Sequence, residues 1–258
     1  MFQKISKNQL KQIAFLKEKK FREREGLFVA EGEKIVEELI HSDFEIISIL
    51  ASNGWLTENE KLLKKINSNK VFEITSIELQ KISSLKTPNQ VVAIVKVPEA
   101  TLENSKLENK LTLVLNNIQD PGNLGTIIRL ADWFGIETII CSENTVELFN
   151  PKVIQATMGA FLRVNVFYKN LIAFFEDINA KIPVYGAFLD GNNIYNETLS
   201  ESGIIVMGNE SKGISDEISK YITHKITIPT FTNKPDKTES LNVSVATAII
   251  CSEFKRRK

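Results

Sequence analysis

Two five-residue runs constrain this chain most: Leu111–Leu115 (LTLVL) and Gly203–Met207 (GIIVM). Each is almost continuously apolar, too short for a buried helix, and followed by a polar loop rich in Asn, Gly and Pro. A strand that is apolar on both faces must be covered on both faces. That is the signature of a parallel sheet between helices rather than of a half-wetted antiparallel sheet. The surrounding pattern agrees. Helical stretches at 123–134, 151–158, 171–178, 215–221 and 243–254 alternate with strand-like stretches at 138–141, 164–167, 184–188 and 225–228. An earlier alternation opens with a basic helix over 4–24. Strands follow at 26–32, 46–50, 71–74 and 91–97, with helices at 33–41, 58–66 and 77–85. Residues 98–110 are polar, begin with Pro98 and read as a linker. The expected architecture is α/β in two domains, 1–103 and 104–258, with 258 residues enough for both.

Bulk charge names no partner, because 32 Lys+Arg balance 32 Asp+Glu. Local charge is less even. Residues 1–24 hold eight Lys/Arg against two Glu, and the chain ends Lys255-Arg256-Arg257-Lys258. Basic ends suit phosphate binding, or form a solvated face. Cys141 and Cys251 are far apart, and His41 and His224 are isolated, so a metal site is not expected. No run of 18 apolar residues and no signal-peptide core is present, so the expectation is a reduced, cytoplasmic protein off the membrane.

In parallel sheets ligands sit beyond the C-terminal ends of strands, so the loops there hold the candidate chemistry. The first is 116–125, containing Asp120-Pro121-Gly122-Asn123, a turn in which Asn123 is a good helix N-cap. On the helix that follows, Ile127, Leu130, Ala131 and Phe134 share a face and Arg129 lies roughly opposite. Arg129 either pairs with Asp132 at i,i+3 or contacts an anion in the strand-end cleft. The second loop, Gly208-Asn209-Glu210-Ser211-Lys212-Gly213, lacks the Lys-Ser/Thr of a phosphate loop. The chain also has no G-x-G-x-x-G dinucleotide fingerprint. The third runs from Ile228-Pro229 to Ser240-Leu241-Asn242, where Ser240 or Asn242 could start the last helix. Along that helix Ser244, Ala248 and Cys251 form a stripe of small residues, compatible with close approach of another helix.

Together these three loops resemble the three motifs of the SpoU (TrmH-type) family of ribose 2′-O-methyltransferases. The matching stretches are 120–129, 206–213, and Ile228-Pro229 with 240–246, and a fourth, 150–160, resembles the family's intervening region. Residues 24–32 and 86–90 resemble the family's ribosomal-protein-like substrate-binding domain. The resemblance implies a trefoil-knotted α/β domain that binds S-adenosylmethionine, works as a homodimer and methylates RNA, ribosomal RNA ahead of transfer RNA. It implies a catalytic Arg129, with Asn123, Glu210, Ser240 and Asn242 at the other reaction-site positions. Met207, Gly208, Ile228, Pro229 and Leu241 would line the cofactor, and no metal is implied.

The sequence departs from the family pattern at Ser211, usually glycine, at Gln155, commonly basic, and in a longer 229–241 loop. A guanidinium, with a pKa of about 13.8, suits phosphate orientation and alkoxide stabilisation better than base catalysis. A catalytically silent RNA-binding protein is the alternative.

Overall fold

The computed structural model describes residues 2–103, 107, 109–232, 234, 236 and 238–256. The chain forms two compact units, one of residues 1–99 with 149–162, the other of residues 100–148 with 163–258. The single boundary expected at 103/104 does not assign 149–162 to the first unit, as the contacts do.

The first unit runs β1 (Gln3–Lys4), α1 (Lys7–Phe15), α2 (Lys19–Glu25), β2 (Leu27–Glu31), α3 (Glu33–Ile40), β3 (Ile46–Ala51), α4 (Asn53–Glu58), α5 (Glu60–Leu63), β4 (Val71–Glu73), α6 (Ser76–Ile82) and β5 (Val91–Lys96). Its sheet has the order β1-β4-β3-β5-β2 and is mixed: β5 is antiparallel to β2 and β3, while β3-β4 and β4-β1 are parallel. The expected single helix over 4–24 is two. Buried Arg22 explains the corner, because its Nη1 donates to the carbonyls of Leu16 and Lys17, both at 2.8 Å, and so ties α2 to the end of α1. Arg22 is therefore a structural cation and not part of a basic face. The expected helix over 58–66 is only Glu60–Leu63, and a further helix, Asn53–Glu58, not expected from the sequence, precedes it across Asn59. Buried Glu31 accepts from Ser83 Oγ at 2.6 Å, Asn89 N–H at 3.1 Å and Ser84 N–H at 3.2 Å, shaping the 83–89 loop. Gln155, on the helix Pro151–Thr157 (α8 in the numbering below), donates to the Glu31 carbonyl at 2.5 Å, and Phe149 stacks on Phe28.

The second unit is built on β6 (Leu111–Leu115), α7 (Pro121–Trp133), β7 (Thr138–Ser142), then, beyond α8, β8 (Asn165–Lys169), α9 (Leu171–Asp177), β9 (Val184–Asn193), β10 (Gly203–Met207), α10 (Asp216–Ser219), β11 (His224–Thr227) and α11 (Val243–Arg256). Its six strands, in the order β11-β9-β10-β6-β7-β8, are all parallel, as the apolar runs predict. Every residue of β6 and β10 is buried. Val114, Ile140, Ile204 and Val206 join Leu171, Phe174 and Phe175 of α9 in one cluster. By strand alternation Leu113, Ile139 and Ile205 lie on the other face.

Two expectations change here. The 98–110 segment is pinned rather than free: Leu107 is buried and Leu102 packs on the same cluster (residues 104–106 and 108 lie outside the described residues). Strand β9 also continues past 188. Its register against β11 jumps from Gly186 to Asn192, and the chain returns through Gly191, where a Cβ would lie 2.6–2.8 Å from the Ile226 backbone.

From β6 the chain steps to β7 and β8 on one side. It then crosses to β9 on the other side and inserts β10 between β9 and β6. The C-terminal ends of β6 and β10 thus flank the point where strand order reverses, the place where open α/β sheets bind ligands.

Candidate active site

The loops after β6 and β10 are sewn together at this reversal. Asn116 N–H donates to the Met207 carbonyl at 2.9 Å, and Ser215 N–H donates to Asn116 Oδ1 at 2.8 Å. Asn117 takes the left-handed conformation (φ 64°), which asparagine tolerates, and its carbonyl accepts from Asn209 Nδ2 at 2.8 Å. Asn209 also closes its own loop. Its backbone exchanges two 2.9 Å bonds with Gly213, and its Oδ1 accepts the Ser211 and Lys212 N–H groups, each at 3.0 Å. A Cβ on Gly208 would run into the Gly213–Ile214 peptide, so only glycine fits there. Ser211, where the resembling family usually has glycine, sits comfortably: the positive φ of this loop falls on Gly213 (71°).

The third loop joins through Asn242. Its Oδ1 caps α11, accepting from Ser244 N–H at 3.0 Å, Val245 N–H at 3.3 Å and Ser244 Oγ at 2.6 Å. Its Nδ2 donates to Asn123 Oδ1 at 2.9 Å, and Asn123 Nδ2 donates to Glu210 Oε1 at 3.0 Å. The relay has a direction. A carboxylate oxygen of Glu210 accepts, and Asn242 Oδ1 is occupied by the cap, so a flipped Asn123 would face two mismatches. Asn123 is not the cap of α7, as expected from sequence. Asp120 is, accepting from Asn123 N–H at 2.8 Å with Pro121 at the first helical position, and Asn123 is freed to bridge the loops. Ser240 is exposed and makes no hydrogen bond among the described residues, so it stays outside the relay.

Arg129 is exposed on α7, two turns in from its start. The Asp132 pairing offered by the sequence does not form. Arg163 Nε takes Asp132 instead, at 2.9 and 3.2 Å to its two oxygens. Among the described residues the Arg129 guanidinium has neither hydrogen bond nor ion pair. Thr126 and the 84% exposed Trp133 flank it on the same side of the helix.

The cofactor positions share a property. The backbone N–H and C=O groups of Gly208, Ile228 and Leu241 have no partner among the described residues, although Gly208 and Ile228 are partly buried. Such groups call for a polar ligand or water. Met207 is the buried floor below Gly208, Pro229 is partly buried beside Ile228, and Leu241 is half exposed beside the relay. No cluster of three or more His, Cys, Asp or Glu that could hold a metal occurs among the described residues.

Sequence reasoning missed Asn116, Asn117, Asn209 and Asp120 as site builders. The concentration of asparagine in the two loops was the available signal.

The model of the SpoU rRNA methylase family matches residues 110–252. The chain belongs to that family. Residues 7–93 match the MRM3-like substrate binding domain. A 23S rRNA (guanosine(2553)-2′-O)-methyltransferase from Bacillus subtilis (strain 168) is 28% identical over 95% of this chain and 95% of its own. A solved structure of a TrmH-family protein from Porphyromonas gingivalis superposes with a TM-score of 0.82 at 37% identity, covering 98% and 99% of the two chains. The AdoMet-bound rRNA methyltransferase from Sinorhizobium meliloti shares the fold, with a TM-score of 0.84 at 24% identity over 99% and 97%. Family membership makes the chain an RNA methyltransferase.

Proposed function

We propose that the crevice above β6 and β10 transfers the methyl group of S-adenosylmethionine to a ribose 2′-hydroxyl of ribosomal RNA. The observation that carries this is the Arg129 guanidinium, without a partner among the described residues, on the helix whose first turn belongs to the Asn242–Asn123–Glu210 relay. The unpaired backbone at Gly208, Ile228 and Leu241 fits the adenosine and methionine groups of the cofactor. When bound, S-adenosylmethionine supplies an electrophilic methyl group. Arg129 holds the substrate phosphate beside the 2′-hydroxyl and stabilises the developing alkoxide charge as the hydroxyl proton passes to a phosphate oxygen. Asn123, held at both ends, fixes the distance between the second and third loops and so the orientation of the reacting groups.

Residues 104–258 carry the chemistry in this reading, and residues 1–103 hold the RNA. The last segment is threaded as a trefoil knot. In support, α11 packs on α7 although it follows β11, an edge strand about 10 Å from β10 at the usual ladder spacing. The active form is a cytoplasmic homodimer. An open groove of about 380 Å³ lined by Phe134, Tyr195, Ala248, Ile249 and Ser252 offers a surface for a second copy.

The test is transfer of labelled methyl to ribosomal RNA lacking the modification, with cofactor affinity measured in parallel. Arg129→Ala is expected to lower transfer by about 100-fold or more, the usual loss for a transition-state charge stabiliser, and to keep cofactor affinity. Native transfer in that variant refutes the role.

A further inference from the structure

A second cavity, of about 320 Å³, lies in the first unit between α1, α2 and the sheet. It takes no part in the site above. Its floor is apolar, with Ile13, Leu16, Phe72 and Ile94. The neighbouring residues Ile47 and Ser48 both line it. The pairing of β3 with β5 slips between Ile46 and Ser48, a bulge that interrupts the regular in-and-out alternation at this point. The partly buried Ser48 hydroxyl and the exposed carboxamides of Gln12 and Asn69 line the cavity, with no side-chain hydrogen bond among the described residues. Phe15 and Phe21 wall it, stacked at 4.8 Å between centroids and 19° apart. Lys20 Nζ and Arg24 Cζ lie 4.9 and 4.8 Å from the Phe21 ring centroid, and Lys11 Nζ lies 5.9 Å from that of Phe15. Lys20 also pairs with Glu18 at 3.1 Å and Arg24 with Glu25 at 2.7 Å, so a phosphate at this rim competes with two exposed carboxylates.

We propose that this pocket receives one unstacked nucleobase of single-stranded RNA, a proposal that rests on the RNA reading of the chain. The edges of the two mutually stacked rings and an apolar floor enclose a flat ring. Two carboxamides and a hydroxyl supply both donors and acceptors to its edge, and a rim of Lys and Arg meets the flanking phosphates. A purely apolar ligand would leave those polar groups unmatched. The Arg22 staple at the corner between α1 and α2 keeps the two phenylalanines in place.

The experiment measures binding of the full chain to a short single-stranded RNA and to the same strand made abasic. The base-bearing strand is expected to bind about tenfold tighter, the low end of what a single bound base contributes. Ser48→Leu, which fills the pocket, is expected to bring it down to the abasic level while leaving abasic binding unchanged. Phe15→Ala, at a residue 37% exposed, provides the same reading should the filled variant fold poorly. Equal binding of the two strands by the native chain, or native binding in both folded variants, overturns the proposal. So does displacement of the strand by a free nucleoside monophosphate at matching affinity, which would make this a mononucleotide site. Cofactor affinity is measured on the same proteins. Its absence from the native chain would defeat the methyltransferase reading and leave the base test standing.

Discussion

Asn242 carries two jobs on one carboxamide, and two substitutions separate them. Its oxygen caps α11 and its nitrogen reaches Asn123. Asn242→Ala removes both. Loss of an N-cap costs about 1 kcal/mol and loss of a neutral hydrogen bond about 1 kcal/mol more. Because Asn242 is exposed, about 2 kcal/mol is the upper end. For a unit of this size that lowers the melting temperature by about 5 °C. Asn242→Asp keeps the cap, and its charge is favoured at a helix N-terminus by about 0.3–1 kcal/mol. It also turns the donor facing Asn123 into an acceptor. Asn123 then either meets two acceptors with one donor or flips and abandons Glu210. Stability should stay within about 1 kcal/mol of native, while methyl transfer falls at least tenfold. Thermal denaturation and single-turnover transfer on the same samples check both halves. An aspartate variant with native stability and native transfer would refute the relay's role. An alanine variant with unchanged melting would refute the cap.

Gly208→Ala should cost cofactor affinity before global stability, since its Cβ meets the Gly213–Ile214 peptide and forces the second loop open. Titration calorimetry with native-like far-ultraviolet dichroism is the check. Thr112→Val should stabilise the second unit by about 1–2 kcal/mol. The Thr112 hydroxyl is the buried side-chain polar atom without a partner among the described residues, and urea unfolding reads the gain. Burial pushes the Cys251 thiol up to about 12 and raises that of Cys141 as well. Unfolded thiols ionise near about 8.5, so the contribution is fully present below that pH. It is lost upward towards the folded values, at about 1.4 kcal/mol per pH unit for each thiol. Cys251→Ala should flatten the fall in stability between pH 9 and 11, and an unchanged slope would refute the assignment.

The sequence by itself determined the class of the fold and where to look for chemistry. Continuous apolar runs such as Leu111–Leu115 need cover on both faces wherever they end up, and loops rich in Asn, Gly and Pro announce themselves locally. The motif resemblance reached the family for the same reason, since each motif is one contiguous loop. Partner choice between loops was not legible. Whether Arg129 is free depends on Arg163, which reaches Asp132 from 31 residues away. Whether Ser240 or Asn242 caps α11, and whether Asn123 caps α7 or bridges, is decided by which groups the packed strands bring within 3 Å. Arg22 read as one of eight like cations until burial made it a staple, and both Ile47 and Ser48 line one cavity at a one-residue bulge. Local pattern sets what a segment can be. Competition for a limited number of donors and acceptors, settled only when distant segments meet, sets which residue does which job.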